Sequence, residues 1–162
     1  GFVCAGATMA FTAAYWALFA LRPTAIAVFA CDMHYASTGP THFYGIGTAD
    51  PLRKDVTLRS LEAKSARLMV LAAMRGCAMV NLSNGPSRLI FPRAARQGVA
   101  HVRPQPWCAD LAKAALAAEA ALGYDVPSGR YWEEAERFDP AALDRVDALW
   151  LAAARHSLRQ TA

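Results

Sequence analysis

The chain has 162 residues, 55% hydrophobic and 19% charged, which is enough for one domain, or a domain with an appendage, around an apolar core. Its net charge of +4 permits an anionic ligand such as a phosphate or nucleotide. No dense Lys/Arg block with interleaved aromatic residues is present, so a nucleic-acid partner is not expected. The scattered cysteines form no C-x-x-C pair, which favours buried free thiols over disulfides or a zinc site.

The first segment is apolar and opens with Gly1 rather than Met, so we expect a fragment whose amino-terminal half lies upstream. Residues 7–21 carry no charge and predict a helix buried nearly all round, ended by Arg22 and Pro23. The uncharged run 2–21 approaches the length of a membrane span, but its small residues and tight connection to a second apolar run favour a soluble fold. Without a basic flank, a secretory signal is not expected. We therefore expect a cytoplasmic protein without membrane insertion, with peripheral attachment to the inner membrane left open.

Two apolar runs further along are typical of strands in a parallel sheet. Residues 25–31 are short and apolar and are followed at once by Asp32, which predicts a central, buried strand. After a long loop with several Gly and Pro residues, residues 57–76 keep a helical period, and Gly76 suits the position just past a helix end. Residues 77–82 predict a second strand, and 90–92 a short extended piece. This alternation predicts an α/β fold with a parallel sheet over residues 1–96.

The composition changes after residue 96. A linker with two prolines and a tryptophan precedes a predicted Ala-rich helix at 109–122. A last helix is predicted at 140–159, with Asp139 as its N-cap and Pro140 as its first residue. We assign residues 97–162 to an α-helical extension whose role is packing, or closing as a lid, rather than chemistry.

Polar residues follow both predicted strands, and the carboxyl ends of parallel strands share the sheet edge at which ligands bind. Asp32 either orients a hydroxyl or base of a ligand or anchors its loop by bonding backbone amides. His34 and His42 flank a turn; each could act as a general base, bind a phosphate, or be a structural or exposed histidine. Polar side chains occur where the second strand turns polar and just after it, and they suit a nucleotide or sugar contact and equally a plain turn: Asn81, Ser83, Ser87 and Arg88.

Three further patterns give weak signals. Residues 45–50 resemble a phosphate-binding loop but lack the Walker lysine and do not complete G-x-G-x-x-G. Arg53 could supply positive charge to an anion or belong to a solvated face, and no G-x-S-x-G motif supports a hydrolase triad. Five residues could in principle form a metal site, but their spacing matches no standard zinc pattern, so we expect no bound metal: Cys31, Asp32, His34, His42 and Asp50.

The block AGATMAFTAAYWALFALRPTAIAVFACDMHY, followed by THFYG, resembles the carboxyl-terminal half of a Rossmann-like superfamily. This superfamily includes the bacterial CMP-sialic-acid-dependent sialyltransferases, motility-associated flagellin-glycosylation proteins and pterin pyrophosphokinase-like proteins. The resemblance covers residues 1–92 and depends on the order and spacing of short motifs. These are Gly6 with its neighbours, the segment 30–35, and the polar turn 81–87.

The resemblance implies a partial Rossmann-like sheet in which Tyr35 and Tyr44 hold the phosphate of a nucleotide. His34 stands where the family has a tyrosine, and His42 precedes the place of the family histidine, so the identity of the base stays open between them. The first nucleotide-binding segment of the superfamily would lie upstream of Gly1.

Our leading hypothesis is a metal-independent, sialyltransferase-like, nucleotide-sugar-binding domain in surface-glycan synthesis. It would use a donor such as a CMP-linked sugar, with a glycan or a protein as acceptor, and Tyr35, Tyr44 and Arg53 would stabilise the departing phosphate. A second hypothesis is a diphosphate-transfer enzyme of the same fold with Mg²⁺ bound by Asp32 and two acidic residues of the following loop. A third is a non-catalytic partner-binding domain; a homo-oligomer is compatible with all three.

Overall fold

The computed structural model describes residues 8–34, 45, 59–128 and 130–155. Within these residues the fold is mixed α/β, with a two-stranded parallel sheet and four α-helices, as the alternation of elements predicted. A three-ten helix follows the sheet (Arg96–His101), and two short three-ten turns precede the last helix (Tyr131–Glu133 and Ala135–Arg137). The main elements are α1 (Met9–Ala20), β1 (Ala25–Val28), α2 (Leu61–Ala73), β2 (Ala78–Asn81), α3 (Ala109–Leu122) and α4 (Pro140–Arg155).

The sheet pairs β1 with β2 in parallel, with Ala25 opposite Ala78 and Val28 opposite Asn81. Every residue of β2 is buried. The predicted extended piece beyond β2 adds a parallel bridge between Asn81 and Arg93 on the other side of β2. Because parallel strands need a crossover connection, α2 lies between β1 and β2 along the chain and packs against β2.

Two expectations for β1 are wrong in the described part of the chain. The strand ends at Val28 rather than at residue 31, because Ala30 turns the backbone into the left-handed region at φ 56°. It is also not a buried central strand, since β2 is its only partner among the described residues and Ala27 and Phe29 are exposed.

Helix α1 is apolar throughout, yet it is buried on one side only, so the expectation of burial all round is wrong. Thr8 caps its start by accepting a hydrogen bond from the Phe11 amide at 3.3 Å. Phe11, Tyr15 and Leu18 are buried, whereas Met9 and other large side chains of the helix are exposed. Among the described residues, no helix is both long enough and apolar enough to cross a membrane.

Helix α2 begins at Leu61 rather than at residue 57. The hydroxyl of Ser60 accepts a hydrogen bond from the Ala63 amide at 3.0 Å, which makes Ser60 the N-cap of α2. Gly76 follows the helix at φ 72°, as its sequence position predicted. Ser65 is fully buried and bonds both Glu62 O and the Ile90 amide, so this small residue ties α2 to the chain beyond β2.

Helix α4 packs on α2, and α3 packs on α4. Helix α3 brings Ala112 and Ala115 into full burial, and α4 contributes Val146 and Trp150 to the same core as α2. Asp139 caps α4 through both carboxylate oxygens, as predicted, and the predicted end of this helix at residue 159 lies outside the described residues. The two segments separated at residue 96 from the sequence therefore share one hydrophobic core.

Three ion pairs join the stretch 59–67, which includes the start of α2, to the last two helices. All three have the same polarity. Each cation belongs to the stretch 59–67, and each carboxylate belongs to α3 or α4. Charge complementarity thus adds to apolar burial in attaching the helical extension to the α/β part. The pairs are Arg59 with Asp144, Lys64 with Asp147, and Arg67 with Glu119.

Candidate functional site

The carboxyl ends of β1 and β2 bring five polar residues together, and we name this group the sheet-edge cluster: Asp32, Asn81, Ser83, Ser87 and Arg93. Its centre is the side chain of Asn81. The Asn81 Nδ2 donates to Asp32 Oδ1 at 2.9 Å and to Ser87 Oγ at 3.1 Å. Because Val28 and Asn81 are opposite each other in the register, the residues that leave both strands meet at one edge.

Asn81 and Ser83 are predicted ligand-contacting residues that the structure places inside the protein. Asn81 is fully buried, and its Oδ1 accepts a hydrogen bond from the Ser83 amide at 2.9 Å. The Ser83 hydroxyl accepts from the Ala30 amide at 3.1 Å, across the gap between the two strand ends. Both side chains therefore connect the loop after β1 to the loop after β2, and they position the groups that reach solvent.

Ser87 also holds the loop after β1. Its hydroxyl accepts from the Leu89 amide at 3.2 Å and lies 3.4 Å from Asp32 O, to which it can donate. The Arg88 amide donates to the same carbonyl at 2.9 Å. The Arg88 side chain, predicted as a candidate contact, forms a two-pronged pair with Glu62 at 2.7 and 2.9 Å instead. That pair ties the turn to the start of α2.

The backbone on either side of Asp32 adopts an unfavourable conformation. Ala30 and Met33 have φ values of 56° and 54°, in the left-handed region that side chains with a Cβ atom disfavour by about 1–2 kcal/mol per residue. The hydrogen bonds to the Ala30 amide and to Asp32 O offset part of this cost. Strained residues of this kind cluster at functional sites, where the surrounding structure holds a side chain in one place.

Asp32 is the acidic group of the cluster, and its side chain is 21% exposed. The hydrogen bond from Asn81 is the main cause that holds the pKa of this carboxyl below its usual value, and the nearby Arg93 lowers it further. Arg93 Nη1 lies 3.6 Å from Asp32 Oδ1, while the guanidinium donates to Ser83 O and, at 2.6 Å, to Gly85 O. At neutral pH Asp32 is therefore a carboxylate that accepts hydrogen bonds and does not supply a proton.

The other predicted site residues divide into two groups. His34 is exposed and follows Asp32 by two positions, so its imidazole is accessible from solvent near the same edge. The remaining predicted residues lie outside the described residues: Gly6, Tyr35, His42, Tyr44 and Arg53. Of the predicted site, the structure thus brings together Asp32, Asn81, Ser83 and Ser87.

Arg93 is the member of the cluster that the sequence did not single out. The available signal was its position directly after the predicted extended piece at 90–92, which ends at the same edge as β2. As for metal ligands, the described residues contain no group of three or more His, Cys, Asp or Glu side chains that could hold an ion. The cysteines described are free, and burial raises the pKa of the Cys77 thiol.

Comparison with known proteins finds no match: no protein-family model, no curated protein and no solved structure is significantly similar to the chain. The resemblance to the sialyltransferase superfamily therefore stays a prediction.

Proposed function

We propose that this chain is a nucleotide-sugar-binding, glycosyltransferase-like domain that binds its ligand at the carboxyl edge of the sheet. The observation that supports the proposal most is the partly exposed, ionised carboxylate of Asp32, fixed by the buried Asn81 at the ends of two parallel strands. In parallel α/β sheets, ligands bind in the crevice outside these strand ends. A fixed carboxylate there suits the hydroxyls of a ribose or a sugar, which donate hydrogen bonds to it.

Arg93 supplies the charge that a phosphate needs beside such a hydroxyl site. Its guanidinium is 43% exposed and is held by carbonyls of the loop after β2. A guanidinium presents several N–H donors in a plane and binds phosphate oxygens with both charge and geometry. In the proposed complex, Arg93 contacts the phosphate that leaves with the nucleotide, in addition to the predicted contacts from Tyr35, Tyr44 and Arg53.

The proposed reaction transfers a glycosyl group without a metal. The acceptor hydroxyl loses its proton to a histidine, its oxygen bonds to the anomeric carbon of the donor, and the bond from that carbon to the phosphate oxygen breaks. The electron pair of that bond leaves with the nucleotide phosphate, where positive charge stabilises it. We assign the base to His34, which is exposed near Asp32, with His42 as the alternative.

A thermal-shift experiment tests the binding step. We expect CMP to raise the melting temperature without Mg²⁺, and UDP or ATP to do so less. At a concentration of 100 times Kd the stabilisation is about 2.7 kcal/mol, which corresponds to roughly 5–10 °C for a chain of this size. A shift that requires Mg²⁺ would favour the diphosphate-transfer alternative, and the absence of a shift with every nucleotide would contradict both enzyme hypotheses.

Two substitutions separate binding from chemistry. Asp32→Asn keeps an oxygen at the site but removes the charge, so we expect it to lose most of the CMP-dependent shift. His34→Ala should keep the shift and lose the release of CMP from a CMP-linked sugar. His101→Ala is the matched control, because His101 is also an exposed histidine but belongs to the three-ten helix. Equal CMP release by both histidine variants would remove His34 from the role of base.

A further inference from the structure

The opposite edge of the sheet, where β1 begins, carries a second surface of different chemistry. Helices α1 and α2 both end there, and large apolar side chains remain in solvent. Trp16 is 48% exposed, Phe19 52% and Leu21 63%. With two neighbouring arginines they form what we name the α1-end surface: Trp16, Phe19, Leu21, Arg22 and Arg75.

A groove of about 370 Å³ lies in this surface, and its lining combines apolar and cationic groups: Leu18, Phe19, Arg22, Pro23 and Arg75. The guanidinium carbon of Arg75 lies 4.1 Å from the centroid of the Phe19 ring, so the cation covers an exposed aromatic face. Arg22 has a φ of 49°, the left-handed conformation, at the turn from α1 into β1. Two cations thus lie beside one apolar groove.

Among the described residues, neither Arg22 nor Arg75 forms an ion pair with a carboxylate. Residues 1–31 contain no Asp or Glu, and the first acidic residue, Asp32, lies at the other end of β1. Glu62 lies at the other end of α2, about 20 Å from Arg75 at 1.5 Å per helical residue. Between residues 63 and 109 there is again no acidic residue.

The whole chain shows the same asymmetry of charge. Residues 1–109 hold eleven Arg and Lys and four Asp and Glu, a formal net charge of +7. Residues 110–162 hold six Arg and Lys and nine Asp and Glu, a formal net charge of −3. An extended anionic surface would therefore attract the α/β side of the molecule and repel the side formed by the last helices.

We propose that the α1-end surface docks on an anionic phospholipid bilayer. A lipid phosphate occupies the groove between Arg22 and Arg75, and Trp16, Phe19 and Leu21 enter the boundary between headgroups and acyl chains. Tryptophan prefers this boundary, and exposed apolar groups with a cationic rim bind there without crossing the membrane. A second copy of the chain is a poorer occupant, because the surface has no carboxylate to meet the partner's arginines. This proposal is independent of the proposed function, whose site lies at the other edge of the sheet.

Vesicle co-sedimentation of the purified chain tests the proposal. We expect binding to vesicles of equal parts phosphatidylcholine and phosphatidylglycerol, and much weaker binding to phosphatidylcholine alone. The double variant Arg22→Gln/Arg75→Gln should bind the mixed vesicles about 25-fold more weakly, fivefold for each arginine removed from a membrane surface. Circular dichroism should be unchanged, since both side chains are exposed.

The matched control is Arg96→Gln/Arg103→Gln, which removes the same charge from exposed arginines elsewhere in the basic part. This control variant should keep most of its binding to the mixed vesicles. If both double variants lose the same amount of binding, net charge alone attracts the protein to the vesicles and the proposal is overturned. Wild-type fluorescence should shift to the blue on mixed vesicles, and Trp16→Phe should bind but lose that shift. Equal binding to both vesicle types, or self-association through this surface without vesicles, would also overturn it.

Discussion

Two polar clusters of the molecule contrast in how they use their charges. The first, which we name the helix-interface cluster, lies between α1, α2, α3 and α4: Tyr15, Arg67, Glu119 and Trp150. Glu119 accepts from Arg67 Nε at 2.7 Å and Nη2 at 3.0 Å and from the Trp150 indole at 2.7 Å. Arg67 Nη1 donates to the Tyr15 hydroxyl at 2.8 Å. The cluster is largely closed to solvent and its charges satisfy one another.

The pKa values of the helix-interface cluster reflect that closure. Burial raises the pKa of Tyr15, so its phenol stays neutral. Burial acts to lower the pKa of Arg67, but Tyr15 and Glu119 together raise it above its ordinary value. An ion pair that is largely buried and fully partnered in this way stabilises the packing of the helices and leaves no free charge for a ligand.

The sheet-edge cluster is organised in the opposite way. Its amide and hydroxyls are satisfied internally, but Asp32 and Arg93 keep part of their surface in water. The backbone on both sides of Asp32 is strained, which only a surrounding hydrogen-bond network can maintain. The number of polar contacts therefore does not distinguish a structural cluster from a candidate binding site in this protein. Asp32 and Arg67 have the same exposed fraction, 21%, so exposure alone does not separate the two clusters either. The difference is that Asp32 lies on strained backbone beyond the strand ends, beside Arg93, whose side chain is 43% exposed.

Removing Glu119 should have the largest effect. Glu119→Ala leaves the guanidinium of Arg67 buried without its carboxylate, so we expect a loss of about 3–5 kcal/mol in the free energy of unfolding. Urea denaturation followed by circular dichroism measures it. A loss below 1 kcal/mol, on the order of an exposed pair, would show that water replaces the carboxylate and that the helix-interface cluster is not closed.

Asn81→Ala should come next. It removes the acceptor of the Ser83 amide and the donor to Asp32, and an unsatisfied buried group costs about 1–3 kcal/mol. Unlike Glu119→Ala, it should also lose the CMP-dependent thermal shift, because Asp32 is no longer held. If the variant is destabilised yet keeps the full CMP-dependent shift, the role of Asn81 is limited to stabilising the fold.

Two buried or partly buried aspartates, Asp147 at the α2–α4 contact and Asp32 in the sheet-edge cluster, should make stability depend on pH with opposite signs. The pKa of Asp147, beside Lys64 at the α2–α4 contact, is raised chiefly by burial, and its Oδ2 has no hydrogen-bond partner among the described residues. Protonation of Asp147 therefore favours the fold. The stability of Asp147→Asn relative to wild type should be greatest at pH 7 and fall as the pH drops towards 4.

For Asp32, the pH dependence of stability has the opposite sign. Because the pKa of Asp32 is lowered on folding, its carboxylate stabilises the fold at pH values above the unfolded-state pKa. This stabilisation is lost as the pH falls through the folded-state pKa. Asp32→Asn should therefore be less stable than wild type at pH 7, and the difference should shrink below about pH 4. Urea titrations of both variants at a series of pH values check this, and parallel pH profiles would contradict the opposite pKa shifts of Asp147 and Asp32.

The smallest effect is expected at an exposed pair. Arg130 and Glu133 form an ion pair at 3.2 Å with both side chains more than half exposed. Glu133→Ala should change the free energy of unfolding by less than about 1 kcal/mol. It is the matched control for Glu119→Ala, since both remove a glutamate that pairs with an arginine. A loss as large as that of Glu119→Ala would show that burial does not decide the cost.

Much of the fold was predictable because its signals are local. Asp139 as the cap of α4, Gly76 after α2 and the polar residues after each strand act through bonds and φ preferences within a few residues. The contact between Arg67 and Glu119 spans 52 positions and has no local signal. The same holds for Arg93, which enters the site only because its segment pairs with β2.

The order of the main helices and strands, and the polar residues that follow each strand, could be predicted from the sequence alone, since backbone hydrogen bonding and turn geometry are short-range. Which polar side chains are buried and connect loops, and which reach solvent, depends on the tertiary structure. It placed Asn81 inside and left Asp32 partly exposed, and it buried Phe11 while leaving Trp16 of the same apolar helix in water. Burial depends on what distant parts of the chain pack against a residue, and residue type alone does not specify that.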